Sequence, residues 1–161
     1  PIDVPTPQVI RFRTSSKAYG MAGARIGYAI GEVGVIKSFD KIRNHFGANR
    51  IAQAGALAAL ADEAHLQWVL DQVAAARDRI AAIGRTNNLA PLPSATNFVT
   101  MDCGRDGAYA RKVLAGLIDR DVFVRMPGVA PLDRCIRVSA GTKADLDVFE
   151  ENLPEALNAA G

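Results

Sequence analysis

The stretch that most restricts what this chain can become runs Thr14-Ser15-Ser16-Lys17-Ala18-Tyr19-Gly20-Met21-Ala22-Gly23-Ala24-Arg25-Ile26-Gly27-Tyr28. Gly20, Ala22, Gly23, Ala24 and Gly27 remove side-chain bulk, so backbone or a ligand can approach closely, and the glycines admit positive φ. Short apolar runs flank it. Residues Val9 to Phe12 and Ile26 to Ile30 read as strands, which makes the segment a loop following a strand's carboxyl end. Open α/β sheets place their ligand sites at such loops.

A lysine among hydroxyls and small residues is poorly explained by packing. Its amine, when uncharged, forms a Schiff base with an aldehyde, and its pKa shifts readily on desolvation or beside another cation. Lys17 is therefore a candidate covalent anchor for an aldehyde cofactor. Thr14, Ser16 and, eight positions after the lysine, Arg25 supply hydroxyl donors and a guanidinium suited to a phosphate tail.

The run from Ser15 to Gly31 resembles the cofactor-lysine segment of fold-type I pyridoxal 5'-phosphate (PLP) enzymes, in particular class I/II aminotransferases close to the histidinol-phosphate aminotransferases. The shared pattern is S-K-x-x-G-x-A-G-x-R. The resemblance implies that Lys17 holds PLP covalently, that Arg25 binds its phosphate, and that Thr14 and Ser16 also contact that phosphate. It implies transamination, with Lys17 moving a proton between substrate carbon and cofactor. A PLP lyase or decarboxylase shares these motifs, since the lysine and phosphate site do not fix which substrate bond breaks. Two readings outside catalysis are the effector module of a transcription regulator, which predicts an upstream DNA-binding segment, and a non-catalytic fragment.

At 161 residues the chain has the size of one ordinary domain. Its 19 basic and 17 acidic residues are scattered, which argues against nucleic-acid or membrane-surface binding. No apolar run reaches the ~18 residues of a membrane span, and no signal-peptide pattern opens the chain. Cys103 and Cys135 read as buried thiols of a cytoplasmic protein, with a disulfide between them left open. His45 and His65 have no ligand partners at metal-binding spacing, so no metal is expected.

Along the chain, Pro1 to Pro7 reads as an extended connector. From Glu32, the spacing of Val35, Ile36, Phe39, Ile42 and Phe46 predicts a helix that Gly47 ends. Asn49 is placed to cap a helix from Arg50 to about Ala61. Asp62 is placed to cap a long one to about Arg85, with a stripe of Leu66, Val69, Leu70, Val73, Ile80 and Ile83 and the run Gly84-Arg85-Thr86-Asn87-Asn88 as its stop. Strands are expected over Asn97–Met101, Val122–Arg125 and Arg134–Ser139, with a helix over Ala108–Arg120. A last helix from Lys143 should start on a Thr142/Asp145 capping box and be bent or interrupted at Pro154.

Three further residues carry candidate chemistry. Strand alternation puts Arg137 opposite the apolar face made by Ile136 and Val138, on a fixed support. The run Cys135 to Thr142 resembles the family's (L/I)-R-(I/V)-x-x-G-T segment, which implies that Arg137 grips the substrate's acidic group; a surface or salt-bridged arginine is the plain alternative. Arg125 lies where histidinol-phosphate aminotransferases have an arginine on the substrate's phosphate, although Met126-Pro127 replaces the usual proline directly after it. Asn97 matches an asparagine near the substrate in relatives, and equally suits a turn or hydrogen-bonding role.

The fold class expected is α/β: residues 1–48 the end of a large PLP-binding domain, 49–86 linking helices, and 87–161 a small carboxyl-terminal α+β domain with a mostly antiparallel sheet. The family's partners for the cofactor ring and its second phosphate clamp all precede the lysine segment, so these residues cannot contain them. The resemblance therefore implies the carboxyl-terminal part of an aminotransferase, lacking its amino-terminal half and inactive alone. It also implies a homodimer acting on amino-acid and 2-oxo-acid substrates.

Overall fold

A computed structural model describes residues 7–161, and the connector read over Pro1 to Pro7 falls, except for Pro7, outside them. Two compact units divide between Leu70 and Asp71.

In the first unit, β1 (Arg11–Thr14) pairs antiparallel with β2 (Gly27–Ile30), from Arg11 opposite Ile30 to Thr14 opposite Gly27. The first strand thus starts two residues later than its apolar run suggests. At Gly27 a Cβ would stand 2.6 Å from the Arg13 carbonyl oxygen, so this strand pair closes only around a glycine. The six-residue α1 (Val33–Ser38) ends in a 3-10 turn over Phe39–Lys41. The helix expected to run to Gly47 is therefore much shorter. Glu32 gives it no side-chain cap, Ser38 Oγ donates back to the Gly34 carbonyl, and Ile42 and Phe46, 85% and 93% exposed, have nothing to pack on. By contrast α2 (Arg50–Ala61) starts where expected, because Asn49 accepts from the Ala52 N–H at 2.8 Å.

The long helix α3 (Glu63–Thr86) opens as expected, with Asp62 accepting from the His65 N–H at 3.0 Å. Of its predicted stripe only Ile80 and Ile83 are buried, joined by Ala76 and Gly84. Gly84 itself still lies inside the helix. A Cβ there would lie 2.4 Å from Met101 Sδ, so the glycine lets the helix press on the sheet. The helix ends within the expected run, where the φ of 60° at Asn88 allows the Leu89 N–H to reach the Gly84 carbonyl (2.9 Å) and the Asn88 N–H the Arg85 carbonyl (3.1 Å), the Schellman pattern.

The second unit holds an antiparallel sheet in the order β3 (Ala90–Pro91), β4 (Phe98–Asp102), β5 (Cys135–Ser139). Its apolar face sets Val99 opposite Val138 and Met101 opposite Ile136. Against it lie α4 (Gly107–Ile118) through Ala110, Val113 and Leu117, and α5 (Lys143–Ala160) through Leu146, Phe149 and Leu153. The strand expected over Val122–Arg125 is reduced to one bridge, Arg125 with Arg137; Val122 and Val124 still alternate inward, but only Arg125 meets the ladder. Pro154 does not interrupt α5. Leu153, Ala156 and Ala160 are buried on either side of it, and that packing carries the helix past the missing N–H. The Thr142/Asp145 capping box forms as expected.

Both cysteines are free and buried, and burial pushes the Cys103 thiol up to about 11. Arg134 donates from Nε to both carboxylate oxygens of Asp102, at 2.9 and 2.8 Å, and this bonding holds the Asp102 carboxyl below its usual range. Among the described residues, no helix is long and apolar enough to cross a membrane.

Gly84→Ala should lower stability by about 1–3 kcal/mol through overpacking on Met101, although alanine is the better helix former; a raised Tm in thermal melts would contradict the close approach. Because its native pKa is depressed, Asp102 adds stability above its unfolded value near 4, and that contribution disappears as pH falls through the lower native one. Arg134→Gln should then lower Tm by roughly 2–4 °C at pH 7 and by progressively less as the pH is taken down below about 4, as melts across pH would show.

Candidate active site

The connection between β1 and β2, residues 15–26, is built on Ser15. Ser15 is 2% exposed; its N–H donates to the Ile26 carbonyl (3.3 Å) and its carbonyl accepts from the Met21 N–H (3.0 Å). Both of its backbone groups are used, so the loop is pinned at its root. Beyond that root the Gly20 N–H closes a turn on the Lys17 carbonyl at 2.9 Å, with Gly20 itself at φ 64°. A 3-10 turn over Ala22–Ala24 then delivers Arg25 in the left-handed region, at φ 53°. Arg25 Nη1 donates to the Ala22 carbonyl at 2.7 Å, which ties the guanidinium to its own loop and leaves its other donors available.

The four expected cofactor contacts therefore share one loop and its root. Lys17, Thr14 and Arg25 are exposed and Ser16 half-buried. Thr14 Oγ1 accepts the Ser16 N–H at 3.1 Å, and its own hydroxyl proton is free to donate. A Cβ at Gly20 or Gly23 would meet nothing within 4 Å, so the loop is open at these two positions; close backbone approach is the role of Gly27 alone among these three. An ammonium, two hydroxyls and a guanidinium on one open loop fit an anionic group with a reactive carbonyl, which is the chemistry of PLP.

The second group of residues stands on the sheet. Arg125 and Arg137 face each other across the β5 edge, the Arg125 N–H donating to the Arg137 carbonyl (3.0 Å) and the Arg137 N–H to the Arg125 carbonyl (2.6 Å). Directly opposed residues project from the same face, so two guanidinium side chains rise together from the face opposite the core. Thr100 is opposite Arg137 and Phe98 opposite Ser139, which puts Phe98 on that face too. The Arg137 guanidinium carbon lies 4.7 Å from the Phe98 ring centroid. Arg137 Nε is buried with no hydrogen-bond partner among the described residues.

Asn97 is not brought into this pair by any hydrogen bond: its visible role is a backbone one, its carbonyl accepting from the Ala140 N–H at 2.8 Å. Ser15 and Phe98 are the residues that sequence reasoning passed over. Ser15 follows strand residues in a run of hydroxyls that hides which one is buried, and Phe98 becomes visible only once β4 and β5 are in register. Among the described residues no cluster of three or more His, Cys, Asp or Glu side chains is placed to hold a metal ion.

The family of class I and II aminotransferases matches residues 3–153. The histidinol-phosphate aminotransferase of Geotalea uraniireducens is 37% identical over 148 residues, covering 91% of this chain and 42% of that protein. Histidinol-phosphate aminotransferase 1 of Mesorhizobium japonicum is 38% identical over 150 residues, covering 92% and 40%. Among solved structures, histidinol-phosphate aminotransferase from Sinorhizobium meliloti in complex with pyridoxal-5'-phosphate superimposes with a TM-score of 0.93 at 52% identity, over 98% of this chain and 43% of that one. The chain thus spans about two fifths of its relatives' length, matching the carboxyl-terminal part of a fold-type I PLP enzyme. With a family match across nearly all of its length, this mixed α/β chain belongs to the class I and II aminotransferases.

Proposed function

We propose that the complete protein transfers an amino group between an amino-alcohol phosphate or amino acid and a 2-oxo acid, using PLP. The observation that carries this reading is the pinned loop on which Lys17 and Arg25 are both exposed. When bound, PLP supplies an aldehyde for amine exchange and a ring that takes up charge from the substrate carbon. Lys17 Nζ anchors it covalently and, once displaced, takes a proton from the carbon bearing the amino group and later returns one. Arg25, Thr14 and Ser16 bind the cofactor's phosphate.

Arg137 and Arg125 bind the substrate's acid group. Two like charges directly across a ladder are unfavourable on their own, and an anion between them relieves the repulsion. A phosphate dianion balances two cations where a monocarboxylate balances one, which favours a phosphorylated amino alcohol such as the relatives' names indicate. Asn97 is proposed beside the substrate on resemblance alone.

The division into 1–48, 49–86 and 87–161 is kept as the proposed domain organisation. Residues preceding this segment in its relatives are proposed to cover the first unit. Among that unit's described residues only Ser15 and Ala52 are buried, while Phe12, Ile51 and Leu57 are exposed, more apolar surface than a free-standing unit retains. We propose a homodimer as the working form. The two free buried thiols support a reducing, cytoplasmic setting.

Incubation with PLP followed by borohydride should fix the cofactor on Lys17, read by peptide mass, and Lys17→Ala should abolish both the adduct and turnover. An adduct on another lysine with turnover intact would refute the assignment. Arg137→Ala in the complete enzyme should raise KM for the acidic substrate roughly 10- to 100-fold with a smaller effect on kcat. The 161-residue chain by itself should not turn over amino acids, and steady transamination by it would overturn the need for upstream residues.

A further inference from the structure

The Arg137 side chain poses a physical problem. Its Nε is buried without an acceptor, an arrangement that costs free energy, and Arg125 beside it carries the same charge. Among the described residues its guanidinium makes no ion pair. Left to itself, this side chain would swing into water, hydrate Nε and move away from Arg125. What opposes that is the Phe98 ring under the guanidinium, with the cationic carbon 4.7 Å from the centroid. A cation over an aromatic face is held most strongly where water is excluded, and the buried Nε marks such a place.

The backbone that carries the ring is held. Phe98 N–H donates to Thr96 Oγ1 at 3.3 Å, and Thr96 Oγ1 donates to the Phe98 carbonyl at 3.2 Å. Ser94 Oγ donates to the same carbonyl and lies 3.0 Å from Thr96 Oγ1. Two hydroxyls thus clamp the backbone of the residue that carries the ring, at the entrance to β4.

We propose that Phe98 is a positioning residue for the acid-binding pair: its ring is the platform that holds the Arg137 guanidinium flat beside Arg125, so that a phosphomonoester meets two cations already in place. This rests on the reading of Arg137 as the acid-binding residue. Preorganisation of this kind saves the ordering cost of a long side chain at the moment of binding.

The test uses the complete protein saturated with PLP, so that the phosphate site of Arg25, Thr14 and Ser16 is filled, with inorganic phosphate as the probe and the variants Phe98→Leu, Phe98→Tyr and Arg137→Gln. Phe98→Leu should weaken phosphate binding roughly 3- to 10-fold, Phe98→Tyr should stay within about 2-fold of the parent, and Arg137→Gln should lose the site. Binding unchanged in Phe98→Leu but lost in Arg137→Gln overturns the platform while leaving the acid-binding reading intact. Binding unchanged in Arg137→Gln overturns that reading and the platform with it. A ligand-free measurement decides the matter even where Phe98→Leu fails to fold. In the parent, the Arg137 Nε–H resonance should be shifted upfield by the ring and protected from exchange with water; an unshifted, freely exchanging signal refutes the platform.

Discussion

Two backbone hydrogen bonds between Arg125 and Arg137 decide what the second unit presents on the face opposite its core. They are the only ladder contact that the segment from Val122 to Arg125 makes with a strand among the described residues. Without them Arg125 would belong to an exposed loop, free to leave its neighbour. With them it inherits the rigidity of β5, whose other face is fixed by Ile136 and Val138 in the core beneath α3, α4 and α5. Catalytic and binding side chains gain precision when they stand on strands packed from behind, because a shift of the side chain then requires a shift of the core.

The first unit achieves position by different means. Among its described residues it has almost no core, and its loop is held by hydrogen bonds at Ser15 and by the close approach at Gly27. Hydrogen bonds and a tight strand pair fix the path of the backbone while leaving Lys17 and Arg25 exposed. Net hydrogen-bond energies of about 1 kcal/mol each do not stabilise a unit alone. Apolar burial supplies most of the driving force in folding, and here Phe12, Ile42, Phe46, Ile51 and Leu57 have yet to contribute it. The same exposure explains why α1 stops at Ser38: helices this short depend on a packed face more than on propensity.

What the sequence made legible follows from the range of the interaction involved. Asn49, Asp62 and Thr142 all cap the helices expected of them, since a cap is settled within four residues. The inward face of β5, Ile136 and Val138, was legible from alternation. The stop of α3 was legible as the run from Gly84 to Asn88, but the reason for Gly84 was not: a glycine near a helix end serves either a left-handed residue or a close neighbour, and the neighbour, Met101, is 17 positions away in β4. That Pro154 does not interrupt α5 has a related reason: its local cost is real, but the burial of Leu153 and Ala156 outweighs it. Val122 to Arg125 alternates like a strand, and only the edge of β5 determines how much of it pairs.

The candidate site shows the same division. Lys17 and Arg25 were legible because their spacing lies within one loop, and the loop's own turns place both. Ser15, which roots that loop, and Phe98, which lies under Arg137, were not, because each acts through a partner the linear pattern does not mark. Phe98 meets Arg137 across 39 positions of sequence, and the meeting depends on the register that pairs Thr100 with Arg137. A slip of one residue would turn Phe98 toward the core and Val99 toward the arginines, exchanging a stacked platform for a methyl surface. The register of β4 on β5 therefore sets both the core and the chemistry of the opposite face, and a residue that reads as one more apolar position in a strand acquires its role only there.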